Sequence, residues 1–163
     1  MSEDATTIRP ATAADAPLIF TFIRELAEYE HLSHAVVATE ENIRESLFGE
    51  RPYAECVFGC VAGEPVGFAL FFHNYSTFLG QPGLYLEDLY VRPTARGKGV
   101  GRKLLNHLAQ LAVDRGCGRM EWAVLNWNEP AIRFYQSIGA RPNSEWTTYR
   151  LAGEALERLS EET

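Results

Sequence analysis

Two adjacent carboxylates, Glu87 and Asp88, lie within the apolar run "LYLEDLYV", which has the composition of a β-strand. A carboxylate can bind an alkylammonium ion and can accept a proton from it. An amine must lose that proton before it acts as a nucleophile, because its pKa is about 10.4. Adjacent residues of a regular strand point to opposite faces, so both carboxylates reach one cleft only if the strand bulges. The alternative is a pair of solvated carboxylates on an edge strand.

A basic, glycine-rich stretch, "YVRPTARGKGVGRKLL", follows from Tyr90 to Leu105. Its glycines alternate at positions 97, 99 and 101, and it holds five of the chain's 15 Lys and Arg residues. Glycine permits positive φ and the close approach of a ligand, and the first amides of a helix attract anions. The stretch therefore predicts a binding position for the phosphates of a small ligand, formed mainly by backbone amides.

Two common phosphate-binding motifs do not fit this stretch. A P-loop needs Ser or Thr after its lysine, and neither lysine here is followed by one. The dinucleotide fingerprint needs glycine at position 102, which is arginine. A nuclear-targeting or DNA-binding cluster and a simple strand-to-helix turn with solvated charges remain as alternatives. The spacing that fits is Arg96-x-x-Gly99-x-Gly101.

The cysteines and histidines favour neither a metal site nor a covalent mechanism. Cys56, Cys60 and Cys117 are an odd set without CxxC spacing, so we expect free thiols, the first two facing one core. His31 and His34 have helix-like spacing but no evident third ligand. We expect no metal.

The composition is that of a globular protein and excludes several function classes. The chain has 163 residues, 46% hydrophobic and 23% charged, and a formal net charge of −7. We expect one domain, residues 1–163. An acidic chain is a poor partner for nucleic acid and suits a cationic substrate, although acidity for solubility alone explains the charge equally well. No apolar run approaches the roughly 20 residues of a membrane span, and no signal peptide is evident, so we expect a cytoplasmic protein without membrane contact.

The first half of the chain predicts a short strand, "TTIRPAT", then two helices and a hairpin. Apolar residues at helical spacing indicate a helix over Ala13–Glu30, with Asp15 as its expected cap. A second helix is predicted over Glu40–Phe48. Two β-branched and aromatic runs then meet at Ala62–Pro65, which is typical of a hairpin turn.

The second half alternates strands and helices. The strand "LYLEDLYV" precedes an amphipathic helix, Val100–Arg115, and the strand "RMEWAVLN" follows it. A short helix in "EPAIRFYQSIGA" and a late strand in "EWTTYRL" complete the prediction. A strand–helix–strand unit implies a parallel pair, so the fold class is α+β, or mixed α/β. The ligand site is expected at the carboxyl end of "LYLEDLYV".

Three features of the sequence resemble those of one known family. They are the Arg96-x-x-Gly99-x-Gly101 loop, the strand before it with the amphipathic helix after it, and the segment "NWNEPAIRFYQSIGA" about 25 residues later. In these features the chain resembles the GCN5-related N-acetyltransferases (GNAT). It is most similar to the spermidine/spermine and thialysine group, through "ELAEYE", "LYLEDLYVRPTARGKGVG", "AVLNWNEPAIRFY" and "GEALERL". The resemblance runs from "IRPATAAD" to "YRL". It implies a central, mostly antiparallel sheet with a parallel strand pair splayed around acetyl-CoA and helices on both faces.

The resemblance also implies roles for individual residues. Glu87 binds the acceptor and deprotonates it through water, the amide of Leu89 stabilises the thioester carbonyl, and Tyr135 protonates the departing CoA thiolate. By spacing alone, Tyr135 on a short helix is more typical of a core aromatic. The positions implied to contact acetyl-CoA are Leu89, Tyr90, Val91, Arg96, Gly97, Lys98, Gly99, Val100, Gly101, Arg102, Asn128, Glu129, Pro130, Ala131 and Tyr135.

The acceptor site is expected to be acidic. The resemblance implies that the acceptor touches Tyr29, Glu30, Glu87 and Glu145, and the acidic residues Asp88 and Glu121 are further candidates. Position 126 is Asn, where the polyamine enzymes carry Glu and the thialysine enzymes Asp, so a preference for long polyamines is disfavoured.

The implied function is acetyl-CoA-dependent N-acetylation of a small cationic primary amine by direct transfer. The acceptor would be a diamine, a polyamine or a thialysine-like amino acid, and the enzyme a homodimer. The alternatives are a GNAT enzyme acting on a peptide or antibiotic amine and a non-catalytic acyl-CoA-binding module. The presence of both Glu87 and Tyr135 favours the enzyme.

Overall fold

The computed structural model describes residues 5–163, in which the segments up to Leu125 and from Asn126 onward form two compact units. A five-stranded sheet organises the first unit, with strand order β1-β2-β3-β4-β5. Its first three pairs are antiparallel and its last, β4 with β5, is parallel. The strands are β1 Thr6–Pro10, β2 Glu55–Val61, β3 Glu64–Ser76, β4 Gln81–Val91 and β5 Met120–Trp122. The helices of this unit are α1 Ala16–Tyr29, α2 Glu40–Phe48 and α3 Val100–Asp114.

Helices cover both faces of the sheet, as the resemblance implied. On one face Phe58 of β2 packs against Phe22 of α1, with ring centroids 6.0 Å apart. The next residue, Gly59, points to the opposite face, where an added Cβ would lie 2.7 Å from Cγ1 of Val100 in α3. The absence of a side chain at Gly59 thus lets the start of α3 lie directly on the sheet. The core on the α1 face includes both Cys56 and Cys60, and both are free thiols, as predicted.

The hairpin and the helix limits follow the sequence closely. β2 and β3 join through Ala62 and Gly63, both at positive φ (51° and 80°), as a tight two-residue turn requires. The predicted α2 is confirmed, with its Thr39 cap accepting from the amide of Asn42 at 3.1 Å. Asp15 occupies the predicted N-cap position of α1, but its carboxylate forms no capping hydrogen bond there. It instead accepts from Arg9 Nη1 at 2.9 Å and from the backbone amide of Thr12 at 2.8 Å.

The parallel pair is confirmed but is shorter than predicted. β5 has only three residues, paired from Leu84↔Met120 to Leu86↔Trp122, whereas "RMEWAVLN" predicted eight. β4 continues to Val91, so its residues 87–91 extend past the last pair with β5. Among residues 5–163, no strand pairs with the edge of β4 opposite β3 from residue 87 to residue 91, and we name this stretch the open edge of β4.

The second unit contains two helices, α4 Glu129–Ser137 and α5 Gly153–Glu161. α4 confirms the predicted short helix. The predicted strand in "EWTTYRL" is wrong: residues 145–151 form no strand, and Trp146 and Tyr149 are 74% and 93% exposed. Aromatic and β-branched composition indicates a strand only where a neighbouring strand supplies hydrogen bonds, and the described residues of this segment pair with none.

Candidate active site

The carboxylate pair lies at a β-bulge. The register of β3 and β4 runs Leu70↔Asp88 and then Phe71↔Leu86, which leaves Glu87 as the extra residue. The bulge that would let both carboxylates reach one cleft is thus present. A bulge re-aims the side chains around it, and here Glu87 is exposed while Asp88 beside it is half-buried.

Burial and like charge act together on Asp88. The pKa of Asp88 is raised from its usual 3.8 to about 7, mainly by desolvation and in addition by the neighbouring carboxylates of Glu87 and Glu30. Burial also raises the pKa of Glu30. The field of Glu87 therefore reaches Asp88, and so does that of Glu30 at the end of α1. We name Glu30, Glu87 and Asp88 the acidic cluster, and a cation placed among them would relieve their mutual repulsion.

Glu121 lies on β5 near this cluster but already has partners. Its Oε1 forms an ion pair with Nε of Arg119 at 3.1 Å and accepts a hydrogen bond from Nδ2 of Asn74 at 3.4 Å. Together with Glu87 and burial, it raises the pKa of the Tyr85 hydroxyl. Because the Arg119 guanidinium compensates its charge, Glu121 is a weaker candidate for amine binding than the cluster.

The glycine loop has the backbone that an anion site needs. Gly97 and Gly99 have φ of 80° and 78°, and a Cβ added at either would meet nothing within 4 Å. Gly99 is the N-cap residue of α3, whose first amides carry partial positive charge. Gly101 instead lies inside the first turn of α3, where a Cβ would lie 3.8 Å from Val91. The loop therefore leaves open space beside two left-handed glycines at a helix start, a fit to a diphosphate group.

The side chains around the loop divide into two groups. Tyr90 and Val100 are buried, so their side chains belong to the core and could meet a ligand only through the backbone. Lys98 and Arg102 are exposed, while Leu89 and Val91 are half-buried.

An ion pair that the sequence did not reveal fixes the start of the loop. Arg92 donates to the Glu25 carboxylate from Nε at 3.1 Å and from Nη2 at 3.0 Å, and its guanidinium lies 4.6 Å from the Phe22 ring centroid. Both partners belong to α1. The two charges are 67 positions apart in the chain, so no local pattern could have indicated the pair.

Apart from Tyr29 and Arg96 in the first unit, the remaining predicted site residues belong to the second unit. Asn128 is buried and caps α4, where its Oδ1 accepts from the amide of Ala131 at 3.4 Å. Tyr135 is half-buried on the same helix, with its ring centroid 5.8 Å from that of Phe134. Glu129 and Pro130 are exposed at the helix start. Glu145 is exposed in the irregular segment that precedes α5.

A separate groove of about 560 Å³ lies against the outer side of α1. Its lining includes Arg24, Glu25 and Glu28 of α1 together with Ser33, Val36 and Ala38, and neither the acidic cluster nor the glycine loop takes part. Between residues 5 and 163, no three His, Cys, Asp or Glu side chains are grouped so as to hold a metal ion. In the same part of the chain, no helix has the length and apolar character needed to cross a bilayer.

A bulge with two carboxylates, a strand edge without a paired neighbour and a glycine loop that begins a helix thus follow one another along the chain. The model of the acetyltransferase (GNAT) family matches residues 20–140, and the chain belongs to this family. It is an N-acetyltransferase. Family members use acetyl-CoA as co-substrate.

Relatives and solved structures agree with this. Thialysine N-epsilon-acetyltransferase from Sus scrofa is 42% identical, with 94% of this chain and 96% of the relative covered. L-ornithine N5-acetyltransferase NATA1 from Arabidopsis thaliana is 33% identical, with 93% and 86% covered. An integron cassette protein from the mobile metagenome of V. cholerae superposes with a TM-score of 0.80 at 28% identity, covering 96% and 98%. The resemblance inferred from the motifs is confirmed.

Proposed function

We propose that the protein transfers an acetyl group from acetyl-CoA directly to a primary amine of a small cationic acceptor. The observation that carries this proposal is the acidic cluster at the β4 bulge, on the same strand that leads into the glycine loop. The cluster provides negative charge for an ammonium group. The loop provides backbone amides for an anion. The cationic acceptor and the anionic acetyl donor would therefore each meet groups of opposite charge.

The residues present fit acetyl-CoA. Gly97 and Gly99 leave open space at the start of α3, where backbone amides can donate hydrogen bonds to the diphosphate. Acetyl-CoA supplies the activated acetyl group. The open edge of β4 from residue 87 to 91 offers backbone groups to the thioester, and we propose the Leu89 amide as the donor to its carbonyl oxygen.

We further propose Glu87 as the residue that binds the acceptor ammonium and takes its proton through water, since it is the exposed member of the bulge. Asp88, the half-buried neighbour, adds a negative charge to the site when it is ionised. Tyr135 is proposed to protonate the leaving thiolate. Its hydroxyl is a suitable acid because a phenol is weakly acidic and keeps its proton at neutral pH.

The acceptor we favour is an amino acid or short diamine with a terminal amine. The relatives in Sus scrofa and Arabidopsis thaliana are named for the Nε of thialysine and the N5 of ornithine. Position 126 is Asn in this chain, which provides no negative charge for a further amine of a long polyamine. We propose that the acidic cluster binds this one terminal ammonium group.

The direct test is a free-thiol release assay with acetyl-CoA and a panel of amines. Thialysine, ornithine, lysine and putrescine are the expected acceptors, with a higher kcat/KM than spermidine or a lysine-containing peptide. Turnover of the peptide alone would contradict a small-molecule acceptor. Product mass, one acetyl group heavier than the amine, confirms that thiol release is coupled to transfer.

We also propose that residues 1–163 act as one N-acetyltransferase domain in a cytoplasmic homodimer. The family match at residues 20–140 extends past the limit between the two compact units, which supports a single functional domain. Exposed apolar side chains at Trp146, Tyr149 and Leu159 in the second unit support self-association. Light scattering coupled to gel filtration measures the mass of the species in solution.

Replacing Gly99 by Ala is expected to weaken CoA binding by about tenfold or more. A non-glycine residue at φ 78° costs roughly 1–2 kcal/mol, and the new methyl group would occupy the space left for the diphosphate. Gly63 is a matched control, because its φ is 80°, no atom lies within 4 Å of an added Cβ, and it lies in the β2–β3 turn. Both variants should lose similar free energy of unfolding, while calorimetry should show weaker CoA binding for Gly99→Ala alone. Equal CoA affinity in the two variants would contradict the anion site.

Replacing Asp88 by Asn is expected to stabilise the protein at pH 8. The pKa of Asp88 is about 7 in the folded chain and near 3.8 when unfolded, so the folded state binds more protons between these values. The free energy of unfolding of the wild type therefore falls as pH rises through this window. Asn removes this pH dependence. The free energy of unfolding of Asp88→Asn should therefore exceed that of the wild type by on the order of 2–4 kcal/mol at pH 8 and by almost nothing near pH 4.

Urea unfolding between pH 4 and pH 8 measures this difference, with Glu87→Gln as the exposed neighbour for comparison. The same substitution should raise the acceptor KM above pH 7, where the wild type gains the Asp88 charge. Stability curves of wild type and Asp88→Asn that run parallel with pH would show that Asp88 does not titrate in this range.

A further inference from the structure

The Arg96 side chain extends from the glycine loop to the end of α1. Its Nε donates to the carbonyl oxygen of Val91 at 2.9 Å, which fixes the plane of the guanidinium. The guanidinium carbon lies 4.8 Å from the ring centroid of Tyr29 and 5.7 Å from that of Tyr90. Tyr29 is the last residue of α1, and Tyr90 belongs to β4 and is buried. Arg96 thus contacts the loop, the strand and the helix.

This arrangement differs from that of the neighbouring Arg92. Arg92 also lies over a ring of α1, but the Glu25 carboxylate occupies its guanidinium through both Nε and Nη2. Arg96 forms no ion pair with any of residues 5–163. Its terminal N–H groups remain suited to an anion, since a guanidinium carries five donors and Nε uses one. A cation held by aromatic rings can bind an anionic ligand without first breaking a salt bridge.

The position of Tyr29 bears directly on the acidic cluster. Glu30 follows Tyr29 and is the C-cap residue of α1, and its carboxylate acts electrostatically on Asp88. A shift of the last turn of α1 would therefore move one wall of the cluster. Arg96 is the side chain that joins this turn to the loop proposed to hold the diphosphate.

We propose that Arg96 is a positioning residue that couples the two substrates, a role that rests on the proposed function. A diphosphate on the glycine loop fixes the guanidinium. The guanidinium then holds the Tyr29 ring, and with it Glu30, in the arrangement that binds the acceptor amine. Binding of CoA and binding of the amine consequently strengthen each other by the same factor, as thermodynamic linkage requires.

Hydrogen exchange tests this coupling without any acceptor. CoA is expected to slow amide exchange in residues 26–32 of the wild type by about fivefold or more, within the usual range of coupling between sites. In Arg96→Lys the charge remains, but the planar stacking and the Nε bond are lost, so this protection should be absent. Lys98→Gln is the matched control. It removes an exposed charge of the same loop and should weaken CoA binding while the protection of residues 26–32 remains.

Substitutions of the ring test the same contact from α1. Tyr29→Phe keeps an aromatic face and should retain the protection, whereas Tyr29→Leu should lose it. Calorimetry then gives the affinity for thialysine with and without CoA. The ratio of the two dissociation constants should be about five or more in the wild type and in Tyr29→Phe, and close to one in Arg96→Lys and Tyr29→Leu.

The outcomes separate this inference from the proposed function. If CoA binds but exchange in residues 26–32 does not change in the wild type, or slows equally in Arg96→Lys, the positioning role is overturned and Arg96 is a phosphate ligand only. If calorimetry detects no CoA binding to the wild type, the proposed function itself fails. Loss of protection confined to Arg96→Lys and Tyr29→Leu supports the coupling.

Discussion

Replacing Glu87 by Gln is expected to lower kcat/KM for the acceptor amine by about 10²–10⁴-fold, the usual contribution of general acid–base catalysis. Gln keeps the size of the side chain at the bulge but removes the negative charge and the proton acceptor. Because Glu87 is exposed, it contributes little to packing, and the free energy of unfolding should barely change. The substitution should therefore lower activity without lowering stability.

The pH dependence identifies the step that is lost. An amine without a base must deprotonate by itself, so the residual rate of Glu87→Gln should keep rising with pH toward the amine pKa of about 10.4. Glu64→Gln is the control, because Glu64 is an exposed carboxylate at the start of β3. Steady-state rates from pH 6 to pH 10 provide the comparison. A Glu87→Gln profile that matches the wild type in shape and height would remove Glu87 from the base role.

The parts of the fold that the sequence predicted are those with strong local patterns. The hairpin turn at Ala62 and Gly63, the helix Glu40–Phe48 with its Thr39 cap and the amphipathic α3 all follow from neighbouring residues. The parallel pair followed from a topological rule about strand–helix–strand units. Each of these features depends on residues close together in the chain or on the order of elements.

The errors arose where a distant partner decides the structure. "EWTTYRL" has the composition of a strand, yet residues 145–151 do not join the sheet, and β5 ends at Trp122 although apolar residues continue. α5 was not predicted, although Glu154 and Arg158 at i,i+4 spacing, 3.7 Å apart, were a usable signal. The composition of a segment indicates whether it can form a strand, but it forms one only where a neighbouring strand pairs with it.

The candidate site was predictable to a similar degree. The loop motif located Gly97 and Gly99, but only the structure shows that both adopt positive φ and that Gly101 does not. The acidic pair was evident from adjacency, whereas the burial that sets Asp88 apart from Glu87 depends on the register with β3. The contact between Arg96 and Tyr29 joins residues far apart in the chain, so a single sequence cannot reveal it.

Replacing Tyr135 by Phe is expected to lower kcat by about 10²-fold or more while the affinity for CoA stays within twofold. The proposed role of the hydroxyl is to protonate the departing thiolate, and general acids contribute about 10²–10⁴-fold. Phe keeps the ring and its packing 5.8 Å from Phe134, so α4 should remain intact. A loss in kcat and in kcat/KM without weaker binding is the pattern of an interaction made only in the transition state.

The leaving group offers the sharper test, because an acid matters less when the departing thiolate needs less protonation. An activated acetyl thioester with a thiol of low pKa, such as an acetylated aromatic thiol, should therefore recover much of the rate in Tyr135→Phe. Tyr149→Phe is the control, since Tyr149 is a tyrosine of the same unit that is 93% exposed. If Tyr135→Phe were equally slow with both thioesters, the hydroxyl would act on binding geometry and the proton would come from another group or from water.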